Sequence, residues 1–226
     1  MTRSLLYSRF HFGWRFSLLA LLVVLGCSTL QAQELWTGAG LQVRTNQWLS
    51  LEYEQQARFE MNYPRYKSIF FEPGVAVRFL KDFKVKLNYR YTDRGRNDRN
   101  RVSTDLYYSL EPKKLNFDWK FRARWQRSSE ELEDQTVQFL RAKLSTRYNL
   151  SKKAYPYVGG EVFYRMDDKD EIRRFRFTFG MYNRITPRID LESFFRVEQE
   201  TNVRFPERTF IMGMSLTYGI DLRKED

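Results

Sequence analysis

Residues 115–127, LNFDWKFRARWQR, alternate with a period of two. Leu115, Phe117, Trp119, Phe121, Ala123 and Trp125 fall on one face of an extended chain, and Asn116, Asp118, Lys120, Arg122, Arg124 and Gln126 on the other. The same division recurs. In SLEYEQQARFEM, Leu51, Tyr53, Ala57, Phe59 and Met61 oppose Glu52, Glu54, Gln56, Arg58 and Glu60, with Gln55 breaking the apolar set. KVKLNYRYT sets Val85, Leu87, Tyr89 and Tyr91 against Lys84, Lys86, Asn88, Arg90 and Thr92. RRFRFTFGM sets Phe175, Phe177, Phe179 and Met181 against Arg174, Arg176, Thr178 and Gly180. In the last run Phe210, Met212, Met214, Leu216 and Tyr218 oppose Ile211, Gly213, Ser215, Thr217 and Gly219. Helical spacing would scatter each set around a cylinder, so the pattern predicts strands and no helix past residue 35.

Eleven strands are predicted, at about 35–45, 48–61, 68–80, 83–92, 101–110, 115–126, 136–148, 155–166, 172–183, 188–200 and 208–222. Strands of soluble proteins average about five or six residues, whereas tilted membrane strands need about 9–11, so these lengths favour a membrane. Short connections near 46–47, 81–82, 111–114, 149–154 and 184–187 alternate with longer polar ones near 62–67, 93–100, 127–135, 167–171 and 201–207, as in outer-membrane barrels. Pro64, Pro112, Pro187 and Pro206 fall in connections; Pro73, beside Gly74 inside 68–80, predicts a bulge or a late strand start. Eleven strands cannot close with every pair antiparallel. The expectation is therefore an all-β, antiparallel transmembrane β-barrel of ten or twelve strands, with 35–45 outside the wall or one run split or missed.

The first thirty residues break the pattern. Arg3, Arg9 and Arg15 precede the apolar run SLLALLVVLG (17–26), too short for a spanning helix and typical of a secretory signal. LQAQE offers cleavage after Ala32, VLGC resembles a lipobox ending at Cys27, and an uncleaved N-terminal anchor is the third reading. The expected organisation is a signal peptide over 1–32 and a barrel domain over 33–226. The only histidine, His11, and the only cysteine, Cys27, lie in the signal. Composition changes the picture little. The chain is 42% hydrophobic and 30% charged with a mean hydropathy of −0.63, soluble by average, but averaging hides a period of two. The formal charge of +11 raises the question of nucleic acid. Export and the interleaving of cations with apolar residues argue against nucleic acid and for outer-membrane lipids and lipopolysaccharide as partners, with the barrel-assembly machinery. No oligomeric state follows from the sequence.

Periodicity alone does not say which face points inward. A soluble barrel hides its apolar face; a membrane barrel does the reverse. Strand length, alternating connections and the bulk of the aromatic side chains favour the membrane, with Phe117, Trp119, Phe121, Trp125, Phe175, Phe177 and Phe179 towards lipid. The lumen would then be lined by Glu52, Glu54, Arg58, Lys86, Arg90, Lys120, Arg122, Arg124, Arg141, Lys143, Arg174, Arg176, Glu192, Arg196 and Glu198. An isolated buried charge costs several kcal/mol, so these groups either pair into a plug or stay hydrated as a cation-lined path for anionic solutes.

The stretch ELWTGAGLQVRTNQWLSLEYEQQARF (34–59), with Trp36 and Arg58, and the closing MGMSLTYGIDL resemble the bacterial envelope family called domain of unknown function 2490. The resemblance implies an outer-membrane β-barrel over the whole mature chain and assigns no activity. Gly213, Leu216 and Tyr218 are similar in spacing to the last-strand signal of assembled barrels, although Ile211 stands where a polar residue is usual.

Enzyme chemistry finds few candidates. Without histidine in the mature chain, a Ser-His-acid triad and histidine-based zinc sites are excluded. Glu52/Glu54 and Glu198/Glu200 could form carboxylate pairs, but they more simply answer luminal cations. Asp167, Asp168, Asp170 and Glu171 lack the spacing of a calcium loop, and no phosphate-cradling glycine loop is present. Arg94, Arg96, Arg99 and Arg101 could hold lipopolysaccharide phosphates or simply be hydrated. The sequence therefore predicts a non-enzymatic barrel without cofactor or metal, acting as a passive small-solute channel or a structural envelope protein. The rivals are a histidine-free lipid-modifying enzyme and a soluble periplasmic barrel with an apolar ligand.

Overall fold

The structure is a computed structural model that describes residues 32–63, 65–95, 97–112, 115–130, 136–167 and 170–223. The predicted signal, with His11 and Cys27, falls on residues outside this set except for its last residue, Ala32. Among the described residues there are eleven strands: β1 (Glu34–Arg44), β2 (Leu49–Glu60), β3 (Arg65–Leu80), β4 (Phe83–Asp93), β5 (Arg99–Leu110), β6 (Phe117–Glu130), β7 (Thr136–Tyr148), β8 (Ala154–Arg165), β9 (Glu171–Thr186), β10 (Ile189–Glu200) and β11 (Arg208–Asp221). Each pairs antiparallel with its sequence neighbours, and the sheet closes into a barrel.

Closure corrects the expected strand number. β1 pairs with β11 in parallel, from Glu34↔Ile211 to Arg44↔Asp221, so eleven strands form the wall and β1 is part of it. A parallel pair keeps evenly spaced, slanted hydrogen bonds and satisfies both edges. Small residues line the luminal side of this seam. A Cβ on Gly38 would stand 2.9 Å from Ser215 Oγ, and one on Gly40 would stand 3.2 Å from Thr217 Oγ1. The odd count also puts the start of β1 on the rim with the longer connections and the end of β11 on the opposite rim.

The strands hold 11 to 16 residues, and the alternation runs through most of their length. Pro73 marks neither a bulge nor a late start. β3 runs straight through it, pairing Tyr53↔Pro73 on the β2 side, and only the ladder to β4 lapses between Phe71 and Gly74, without loss of register. The register shifts lie elsewhere, near strand ends at Arg58/Phe59, Arg78/Leu80, Phe163/Tyr164 and Ile189/Asp190, where a bulge bends a strand at a barrel rim. The Asn46 side chain holds the β1–β2 turn, accepting from the amides of Trp48 (3.0 Å) and Leu49 (2.7 Å). On the other rim Gly95 sits at φ +80, where a side chain would be strained.

The two faces divide as the alternation requires. Phe117, Phe121, Trp125, Phe177 and Phe179 are exposed on the outer face; Trp119 and Phe175 are half-buried at outward positions of β6 and β9. The ionic positions face the lumen, the reverse of a soluble barrel. Inward aromatics also build the wall. The rings of Phe194 and Tyr157 lie over the cross-strand glycines Gly213 and Gly180, and a Cβ at either position would overlap the ring.

Candidate functional site

The lumen contains a cavity of about 710 Å³ towards the rim with the short connections and a second of about 350 Å³ towards the other rim. Trp36, Arg58 and Arg90 line both, so the waist of the barrel lies at their level. In the larger cavity, cationic side chains outnumber anionic ones fourteen to eight. Glu52, Glu54, Arg58, Lys86, Arg90, Lys120, Arg122, Arg124, Arg141, Lys143, Arg176, Glu192 and Arg196 all line it; Arg174 and Glu198 line the smaller one.

Three ion-paired groups fill the lumen. Glu161 of β8 accepts from Arg122 (2.5 Å), Arg141 (2.8 Å) and Arg176 (3.1 Å). Arg176 continues to Glu198 (2.6 Å), which also meets Arg174 (2.7 Å). Arg124 grips Asp105 through Nε (2.5 Å) and Nη2 (2.7 Å), and Asn88 Nδ2 donates to the same carboxylate at 3.1 Å. Arg90 pairs with Glu72. Asp105 is wholly buried and Glu72 is 2% exposed, so these carboxylates depend on their partners.

Aromatic rings complete the waist. Trp36 has the Arg58 guanidinium 4.0 Å from its ring and that of Arg196 at 4.9 Å, and its Nε1 donates to Glu34 at 2.7 Å. Arg90 lies 3.5 Å from the Phe70 ring and Arg141 4.2 Å from that of Phe163. Arg58 and Arg196 form no ion pair among the described residues; ring faces and single polar contacts to Gln56 and Thr178 hold them. The quadrupole of an aromatic face attracts a cation without neutralising it. Trp36, Phe194 and the 1%-exposed Ile211 pack together, which explains the apolar residue at position 211: it faces an aromatic cluster, not water.

Sequence reasoning missed Asp105, Glu72 and the inward rings of Trp36, Phe70, Phe163 and Phe194. Every one stands at the parity of a charged neighbour, Asp105 with Arg101 and Trp36 with Glu34, and parity was the available signal. Three of the four candidate carboxylates are occupied by cations: Glu52 by Lys84 and Lys86, Glu198 by Arg174 and Arg176, and Glu200 by Arg174. Glu54 lines the larger cavity. In the acidic connection Asp168 is outside the described residues, Asp167 bonds Arg165, and Glu171 bonds Arg173. That guanidinium contact holds the Asp167 carboxyl below the usual carboxylate range. Among the described residues no group of three or more His, Cys, Asp or Glu is placed to hold a metal ion. Of the arginines read as phosphate ligands, Arg96 is outside the described residues, while Arg94, Arg99 and Arg101 line the smaller cavity. Arg94 and Arg99 bond Glu130, and Arg101 bonds Ser128.

The family model described as Protein of unknown function (DUF2490) matches residues 33–204. The chain belongs to this family. The DUF2490 match spans β1 to β10 and stops before β11, so the closing strand, which the sequence resemblance had included, lies beyond it. No curated protein matches the chain. Among solved structures, the DUF2490 barrel is similar to one titled "Bacterial polysaccharide outer membrane secretin", with a TM-score of 0.51 and 11% identity over 75% of this chain and 74% of that one. At that identity the likeness is one of fold.

Proposed function

We propose that this barrel sits in the outer membrane of a Gram-negative bacterium and acts without catalysis, as a narrow passive path that favours small anionic solutes. The observation that carries the reading is the division of its two faces. An apolar outer wall of long strands suits hydrocarbon, and a charged lumen with an excess of cations suits water and anions. The fold likeness to an outer-membrane protein supports the location. The absence of histidine from every residue after His11 supports a role without acid–base catalysis near neutral pH. The ion-paired waist would set the calibre of the path and hold the wall closed.

Planar-bilayer recording of the purified, folded chain tests this. Small discrete steps with a reversal potential shifted towards anion permeability are expected. Silence from protein that has inserted would overturn the path and leave a structural element of the envelope. Release from membranes by carbonate or high salt without detergent would overturn the embedding itself.

A further inference from the structure

In the larger cavity one cluster of lysines outnumbers its carboxylate partners. Lys84 and Lys86 of β4 share a single carboxylate, Glu52 of β2, at 3.1 Å and 2.7 Å from its two oxygens. Glu52 reaches them across β3 because Gly74 leaves room: a Cβ there would stand 2.7 Å from Lys86 Cε. Tyr107 of β5 presents its ring between this pair and Lys120 of β6. Lys84 Nζ and Lys120 Nζ each lie 4.8 Å from the ring centroid. Lys120 forms no ion pair among the described residues, and its side chain lines the cavity. Two ammonium groups thus face one phenol ring and two share one carboxylate, Lys84 doing both, inside a cavity of about 710 Å³, a size that holds a small organic ligand.

We propose that this lysine trio binds the doubly charged oxyanion of a small soluble phosphate, free or as a monoester. Two charges on one ligand answer the local excess left after Glu52 is counted. Ammonium groups on flexible stems can close on a tetrahedral oxyanion from several sides, and the Tyr107 ring fixes the direction of two of them. The inference rests on the lumen being a solute path and names the solute class. Conductance without phosphate binding would sink this inference alone, and binding without conductance would sink the path alone.

The test is calorimetric titration of inorganic phosphate into the full, detergent-folded chain, with folding of each variant checked by the gel shift between heated and unheated samples. Lys120→Gln is expected to weaken binding about tenfold, the loss of one charge-assisted contact. Glu52→Gln is expected to tighten it, the opposite sign, by freeing Lys84 and Lys86. Lys152→Gln, on the exposed β7–β8 turn and outside the cavity lining, is expected to change nothing. Lys120→Gln disturbs no ion pair, so it remains decisive even where Glu52→Gln fails to fold. Wild-type and Lys120→Gln protein binding phosphate equally, or neither binding it, would overturn the proposal. Competition by micelle-borne phosphatidic acid with no response to free phosphate would overturn it as well, by making the ligand a lipid.

Discussion

The waist and the larger vestibule are built from the same inward positions of the same strands, yet only the vestibule mixes lysine with arginine. The waist holds Arg58, Arg90, Arg124, Arg141, Arg176 and Arg196; the rest of the vestibule adds Lys84, Lys86, Lys120 and Lys143 to Arg44, Arg122, Arg147 and Arg184. A guanidinium offers a planar fork and a flat face. Arg124 uses the fork on Asp105 with two nitrogens, and Arg58 and Arg90 use the face on Trp36 and Phe70. An ammonium has neither and is more strongly hydrated. Where the lumen narrows, charge is carried by groups that pair with carboxylates or stack on rings. Where it widens, lysines enter: Lys84 and Lys86 share the Glu52 carboxylate, and Lys120 and Lys143 form no ion pair among the described residues. The waist reads as structure and the vestibule as a place for solute.

Substitutions in the two regions should therefore act on different observables. The largest effect is expected at Glu161, which serves three guanidiniums. Glu161→Ala leaves them facing one another and should cost about 3–5 kcal/mol in urea unfolding, the usual penalty for half a buried ion pair. Asp105→Ala should cost nearly as much, and Asp105→Ala with Arg124→Met should recover most of it, because removing both charges removes the unpaired one. Gly213→Val should cost about 1–3 kcal/mol by overpacking against the Phe194 ring, with partial relief from Phe194→Ala. Lys120→Gln and Lys143→Gln should stay within about 0.5 kcal/mol of the parent in the same assay, as side chains free of any such network do. A Lys120→Gln protein as unstable as Glu161→Ala would erase the distinction between the regions.

The strands were legible because a period of two survives any closure of the sheet: β7 is found at its predicted bounds, and β10 to within a residue of its predicted start. Closure was not legible. Parallel and antiparallel neighbours leave the same alternation in β1 and β11, and only the small luminal residues Gly38 and Gly40 hint at a close seam. The luminal charges were legible by parity. The rings of Trp36, Phe70, Phe163 and Phe194 were not, because an aromatic residue in a barrel strand is read by its hydrophobicity as outward. Their use as cation platforms appears only when Arg58, Arg90 and Arg141 are brought across from other strands.

The account depends on Trp125 and Trp36 lying on opposite sides of one wall. Single-tryptophan proteins, with every other tryptophan replaced by phenylalanine, can be folded into liposomes containing brominated lipids. Fluorescence from the protein that keeps Trp125 should be strongly quenched, and fluorescence from the one that keeps Trp36 should be nearly untouched. Quenching of Trp36 equal to or greater than that of Trp125 would contradict the account.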